Sequence, residues 1–387
     1  MTNELKRAYI KRVYGRYQKA KKGEKTLILD EMCQVFSLSR KHAIKLLNDD
    51  RNIFVKPLGP RRKYGPEVAH HLQILWENMN GMCSKNMREA IPIWLPYYND
   101  CDRWIKELLL QISASTIDRL LKPYKKKSQR GLSSTKPSLI KNKIPLKLLD
   151  GDVKEPGFVE ADTVAHCGNS LAGNFVNSLT VTDLNSSWTE NRSLWTKERK
   201  QILKTMWSVE NALPFKIKGI ATDNGNEFLN HDLHNYFADR EEKVEFVRRR
   251  PYKKNDNAHV EQKNWTHVRE LFGYQRFDHP SMVELMNEIY RNYWNPLMNY
   301  FTPSMKLTEK TRIGGKVIKK YGKPKTPYQR LQESEHIDYE AKKRLQMSYQ
   351  KLNPFKLKQE LEQKLKWFFK IVDVHKNQLL DKAANDS

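Results

Sequence analysis
The chain has 387 residues, 70 Lys and Arg against 45 Asp and Glu, a net charge of +25 and a pI of about 9.7. The cationic excess points to a polyanionic partner, nucleic acid first, while nine Trp and 17 Tyr exclude a merely disordered basic tail. The four cysteines, Cys33, Cys83, Cys101 and Cys167, form no close pair and fit a reducing, cytoplasmic setting; with no signal peptide and no apolar run near about 18 residues, no membrane span is expected.

Residues 3–22 read as a basic helix with an apolar stripe of Leu5, Tyr9, Ile10, Val13, Tyr14 and Tyr17. A second helix over 24–36, a turn at Ser37-Leu38-Ser39 and a third helix over 40–48 read as a helix-turn-helix domain spanning 1–50. Its last helix would offer Arg40, Lys41, His42 and Lys45 to a major groove. The plainer alternative is a three-helix bundle with a basic surface. The loop over 52–64 is rich in Pro and Arg, and its Arg61, Arg62 and Lys63 suit phosphates or a minor groove. Helices over 67–79 and 84–97 come next. A second turn-and-helix pattern over 111–121 follows, capped by Ser113 or Ser115 and carrying Arg119. Together they make 51–125 a second helix-turn-helix-like domain. His70, His71, Cys83 and Cys101 lack zinc-ligand spacing.

The run over 122–147 is rich in lysine and free of acids, and 126–155 reads as a basic linker that would order along phosphates. Strands are predicted near 157–164, 175–182, 187–194, 216–222 and 244–247. Helices are predicted near 196–212, 229–240, 256–271 and 280–300. This is the pattern of an α/β domain with a mixed sheet over 156–301. Residues 302–330 are cationic and broken by Gly and Pro, as a small β element or an extended arm would be. Residues 338–370 are amphipathic, with Leu345, Leu352, Leu357, Leu361, Leu365 and Phe368, and Pro354 should split them into two helices. Their apolar stripe suits either the core or a second copy of the chain. The whole of 302–387 is a basic, partly helical C-terminal region.

Three acids stand out by context. Asp162 is central in a predicted strand, Asp223 ends another in Asp-Asn-Gly, and Glu261 lies on a helix that starts from Asn255, Asp256 or Asn257. A lone helical Glu is ordinarily a solvated surface acid. The spacings are 61 and then 38 positions.

E-A-D-T, T-D-N-G-N-E-F and N-A-H-V-E-Q-K-N, in that order, resemble the catalytic core of the DDE transposases and retroviral integrases. The likeness is greatest to insertion-sequence transposases with an integrase core, and it covers about 156–300. The second gap is slightly longer than the one that names the family, which implies a slightly longer loop. The resemblance implies a multidomain protein: N-terminal all-α helix-turn-helix modules, a central α/β ribonuclease H-like integrase core, and a basic C-terminal region with helices. It implies that Asp162, Asp223 and Glu261 are both catalytic and metal-ligating, holding two Mg2+ ions, with Mn2+ able to substitute. The activity implied is that of a transposase: binding terminal inverted repeats, cleaving strands and transferring them to target DNA. The partners implied are double-stranded DNA, as element ends and target, and further copies of the chain, at least a dimer on DNA. The protein would be cytoplasmic and associated with the nucleoid when bound. A retroelement-type integrase or metal-dependent nuclease with the same core, and a non-enzymatic DNA-binding regulator, are alternative readings.

Among the neighbours, Glu160 reads as a residue supporting the site or, more plainly, as a strand-end surface residue, and Asp183 and Glu227 as substitutes should the alignment shift. Asn257 and Asn264 share the helical face of Glu261. With Lys253, Lys254 and Lys263 they are candidate DNA contacts.

Overall fold
The computed structural model describes residues 3–48, 63–125, 153–222, 236–237, 240–242, 244–248 and 262–385, within two compact units, Met1–Gly65 and Pro66–Ser387. In the first unit α1 (Asn3–Lys19), α2 (Lys22–Phe36) and α3 (Arg40–Asn48) close on Ile10, Val13, Ile28, Met32, Ala43 and Leu47. The first helix ends at Lys19 rather than 22 because Glu24 reaches back to the Lys21 N–H at 3.0 Å and opens α2. The turn into α3 passes through Ser37, whose φ of 51° is left-handed.

The second unit opens with α4 (Pro66–Asn78), α5 (Ser84–Trp94), α6 (Arg103–Leu110) and α7 (Ala114–Leu121). Ser113 caps α7 as predicted, accepting the Thr116 N–H at 3.2 Å. A five-stranded mixed sheet follows: β1 (Phe158–Ala165), β2 (Asn177–Asp183), β3 (Thr189–Leu194), β4 (Gly219–Thr222) and β5 (Glu245–Arg248). Its order is β3-β2-β1-β4-β5, with β1–β2 and β2–β3 antiparallel and β1–β4 and β4–β5 parallel. Between β3 and β4 runs α8 (Arg199–Glu210), which packs Ile202, Met206 and Val209 on Val159, Ala161, Leu179 and Val181. The predicted helix over 229–240 and the first part of that over 256–271 lie mostly outside the described residues.

The opposite face of the sheet carries α9, described through a π segment Asn264–Arg269 into Glu270–Phe272. Beside it lies α10, which runs Ser281–Ile289, a π segment Tyr290–Trp294, then Asn295–Phe301. The π segment interrupts the helix predicted over 280–300 without ending it. Trp94 joins α5 to the end of α10, its indole N–H donating to the Phe301 carbonyl at 3.0 Å.

β3 is an edge strand, and an open edge would leave backbone donors and acceptors unpaired. Three asparagine amides of α10 occupy that edge. Asn299 accepts the Thr189 N–H at 3.0 Å and donates to the Thr189 carbonyl at 2.9 Å. Asn287 does the same for Ser193 at 2.7 and 3.0 Å. Asn295, between them, donates to the Asn191 carbonyl at 3.4 Å and to buried Glu190 at 2.9 Å. Glu190 also accepts from Arg192 at 3.0 Å and from Trp188 Nε1 at 3.0 Å.

The cationic stretch after α10 is a β element, not an extended arm: β6 (Leu307–Ile313) and β7 (Lys316–Tyr321) form a two-stranded antiparallel ribbon. It is followed by α11 (Pro327–Glu333), α12 (Tyr339–Gln350) and α13 (Pro354–Asn385). Pro354 is the first residue of α13, where a missing N–H costs nothing. Phe368 of α13 packs between Phe272 and Phe277, at ring distances of 5.2 and 5.1 Å, and Leu357 and Leu361 are buried too. Leu345, Leu357, Leu361 and Phe368 of the predicted apolar stripe are thus buried within this chain.

Of the two readings of Glu160, the surface one fails: it is 2% exposed. Alternation put it on the face of Asp162 correctly, but α9 and α10 cover that face.

Replacing Asn299 by Ala should cost about 2–4 kcal/mol, because a buried N–H and a buried carbonyl lose their partners together. Urea denaturation of the variant checks this; a loss below about 0.5 kcal/mol would show that the edge finds other partners.

Candidate active site around Asp162
The strand period of two sends Val159 and Ala161 into the core under α8 and turns Glu160 and Asp162 to the other face. Asp162 is half-buried there. One carboxylate oxygen accepts the Thr163 N–H at 2.7 Å, and the other accepts from Asn264 Nδ2 at 2.7 Å. The donor Asn264 opens the π segment of α9, and such segments re-aim side chains relative to a regular helix. Arg269, at the other end of that segment, donates to the Ala165 carbonyl at 3.0 Å, so α9 is fixed to β1 at both ends of the segment.

Two strands flank Asp162. Thr180 of β2 is its register partner, and Ala161 next to it pairs with Thr222, the last residue of β4. The loop between β1 and β2 is held by Arg276, whose guanidinium donates to the carbonyls of Ser170 at 2.8 Å, Ala172 at 2.6 Å, Cys167 at 3.3 Å and Asn174 at 3.3 Å. Gly168 in this loop is left-handed at φ 60°, and a Cβ there would meet the Arg276 side chain at 3.0 Å. Arg269 and Arg276 escaped the sequence reading, since nothing local marks an arginine that will span to a distant loop.

The other candidates fall in different places. Asp223, Glu227, Glu261, Arg61, Arg62, Lys253, Lys254 and Asn257 lie outside the described residues. Lys41, Lys45, Lys63 and Arg119 are exposed. Arg40 is exposed but ion-paired with Asp30 on α2. Asn264 donates to Asp162 within the chain. The ammonium of Lys263 is withdrawn from water: burial, with Arg330 nearby, brings it down to about 8. That burial does not suit an open phosphate contact. Asp183 is committed to structure, since it is buried and accepts from Gly157 N at 2.8 Å and from both Ser186 N and Ser186 Oγ at 2.6 Å.

Two histidines near the site are kept neutral. Burial, then the positive charge of Arg269, depresses His166 to about 3; its Nε2 lies 2.9 Å from Ser178 Oγ, which in turn lies 2.9 Å from the Tyr290 hydroxyl. Burial, then Lys263, holds His267 well below its ordinary value.

The described architecture is a mixed α/β fold with a carboxylate on its central strand, oriented by an amide from a covering helix. No protein-family model matches the chain. The chain is 34% identical over 340 residues to uncharacterized protein y4rM of Sinorhizobium fredii, an alignment that takes in 83% of this chain and 93% of the relative. It therefore belongs to the same family as y4rM. Among solved structures it is similar to the catalytic core domain of BIV integrase, with a TM-score of 0.25 and 15% identity over 30% of this chain and 70% of that one. It is also similar to the simian T-cell lymphotropic virus intasome in complex with the PP2A regulatory subunit B56 gamma, with a TM-score of 0.26 and 14% identity over 47% of this chain and 59% of that one. Scores this low carry no argument about activity.

Because the folded protein holds His166 neutral, the unfolded chain binds the extra proton below its ordinary 6.5, and stability is lost as pH falls from there toward about 3. Between those limits wild type should lose stability about 1.4 kcal/mol per pH unit more steeply than His166→Asn. Denaturation at a series of pH values checks this; equal slopes would mean that His166 is protonated in the fold.

Proposed function
We propose that the chain is a DDE-type transposase, which cleaves DNA at the ends of a mobile element and transfers those ends to target DNA. The observation that carries the reading is a convergence on Asp162. Thr222, which pairs beside Asp162, immediately precedes Asp223 in the sequence. Asn264, which donates to the Asp162 carboxylate, comes three positions after Glu261. The sheet order β3-β2-β1-β4-β5 and its strand directions support a ribonuclease H-like core.

The chemistry of the donor set fits divalent metal. Carboxylate oxygens are what Mg2+ and Mn2+ take, and Asp162 is held in one orientation by two donors, as outer partners hold a metal-ligating carboxylate. Asp162, Asp223 and Glu261 would hold the ions. When bound, two divalent ions activate an oxygen nucleophile and stabilise the leaving oxygen of a phosphodiester. The protein's own part is orientation. Asn264 fixes Asp162 against rotation, Arg269 fixes α9 to β1, and Arg276 fixes the loop that follows the strand.

The remaining parts of the reading are DNA-facing. In α3, Lys41 and Lys45 are exposed opposite the buried Ala43 and Leu47, as a recognition helix requires. Two element ends need two active sites, so this reading asks for at least two copies on the DNA. The net charge of +25 serves a polyanion. Among the described residues no helix is long and apolar enough to cross a membrane.

Asp162→Asn, Asp223→Asn and Glu261→Gln should each abolish Mg2+-dependent nicking and joining while DNA binding persists. Asn264→Ala should lower activity about 10–100-fold, as loss of an outer partner does. A plasmid-nicking assay with Mg2+ or Mn2+ decides: full activity in any acid variant removes that residue from the site. Binding should also weaken steeply with salt, log K falling linearly with log salt concentration as counterions are released. A flat salt dependence in gel-shift titrations would exclude a phosphate-dominated interface.

A further inference from the structure
A second cationic place lies away from Asp162. Val159 pairs with Asp183, and the turn after Asp183 sits at the entry end of β1, on the order of 10 Å along the strand from Asp162 at about 3.3 Å per residue. Against this turn, the base of the β6–β7 ribbon and α11 line an open surface pocket of about 540 Å³. Its walls carry five lysines and arginines against two glutamates, Glu333 and Glu335.

Two of the cations are pinned by neutral oxygens. Arg330 donates to the Ser186 carbonyl at 3.0 Å, to Ser304 Oγ at 3.3 Å and to the Ser304 carbonyl. Lys306 donates to the Leu184 carbonyl at 2.8 Å and to the Asn185 carbonyl, and its charge also favours the buried Asp183 carboxylate. Burial lowers Arg330 to about 10, the mark of a cation with less water than it needs. Lys154 is exposed at the rim and has no ion-pair partner among the described residues. Lys325 and Lys323 are balanced by Glu333 and by Glu89. Asn185, Thr308 and Ser334 add neutral hydrogen-bonding groups to the wall.

Pinned cations, a concave wall and hydroxyl and amide groups are together what a phosphate oxygen cluster takes up. We propose that the pocket between the β2–β3 turn, the ribbon and α11 binds a phosphate group, either in a nucleic-acid backbone or in a free phosphorylated compound. Arg330 supplies the fixed guanidinium and Lys154 closes over the anion from the rim. The site does not depend on the chemistry at Asp162, so either can fail without the other.

The test uses the full chain in the presence of a metal chelator, so that no cleavage contributes. Inorganic pyrophosphate is titrated by calorimetry into wild type, Lys154→Glu, Lys154→Gln and a control, Lys366→Glu, which reverses an exposed lysine on α13. Saturable binding is expected, weakened about tenfold by Lys154→Glu, less by Lys154→Gln and not by the control. Displacement of pyrophosphate by a short oligothymidylate assigns the site to a nucleic-acid backbone. Pyrophosphate binding that the oligonucleotide does not displace assigns it to a free phosphorylated compound. Absence of saturable binding, or equal weakening by Lys154→Glu and Lys366→Glu, overturns the proposal. Thermal denaturation of each variant confirms that it is folded.

Discussion
The outer edge of β3 is the constraint that organises the second unit. A sheet that closes one face with α8 and the other with α9 and α10 still has an edge to satisfy. Here that edge is covered by side chains rather than by another strand. Asn287, Asn295 and Asn299 of α10 reach Ser193, Asn191 and Thr189, and an amide can give and accept at once as a backbone partner does. These bonds fix the rotation and height of α10 against the sheet. What packs on α10 inherits that position: α5 through Trp94 and Phe301, and α13 through the Lys364–Glu288 ion pair at 2.6 Å. The same bonds close the edge to any incoming strand.

The buried charges of this unit serve the same end. Glu190 is pushed up by burial, and Arg192, Trp188 and Asn295 act the other way, so each of the three offsets part of the cost of burying it. Removing one partner of such a group costs far more than the pair contributes, which makes the group a determinant of unique packing more than a source of stability. Asp183 does the equivalent at the β2–β3 turn. It gathers Gly157 and Ser186, and the turn it shapes turns carbonyls outward to Lys306 and Arg330. The ribbon and α11 are docked to the sheet through those two cations.

Electrostatics divides the face of β1 in a consistent way. Asp162 is half-buried and held by two donors, while His166, four residues further on, is held neutral by burial and by Arg269. Lys263 and His267, on the inner side of α9, are likewise discouraged from charging.

Much of this was legible in the sequence because it depends on near neighbours. The Ser113 cap, the break at Pro354, the α3 limits of Arg40–Asn48 and the alternation around Asp162 follow from local sterics, capping and period, which a chain expresses wherever it is placed. The candidate role of Asp162 came from the resemblance carried by three motifs together, not from its strand pattern alone. The tertiary structure alone decided what covers each face. Glu160 looked like a surface acid until α9 and α10 were laid over it. Asn264 and Lys263 read as candidate DNA contacts; the fold sets the first against Asp162 and draws the ammonium of the second out of water. Nothing in the sequence singled out Asn287, Asn295 and Asn299, because an amide's partner at a sheet edge is set by a fold that brings together residues about a hundred positions apart. Sequence specifies the period and the caps; burial and pairing are properties of the assembled layers, and they alone determine which polar groups face water and which must find one another.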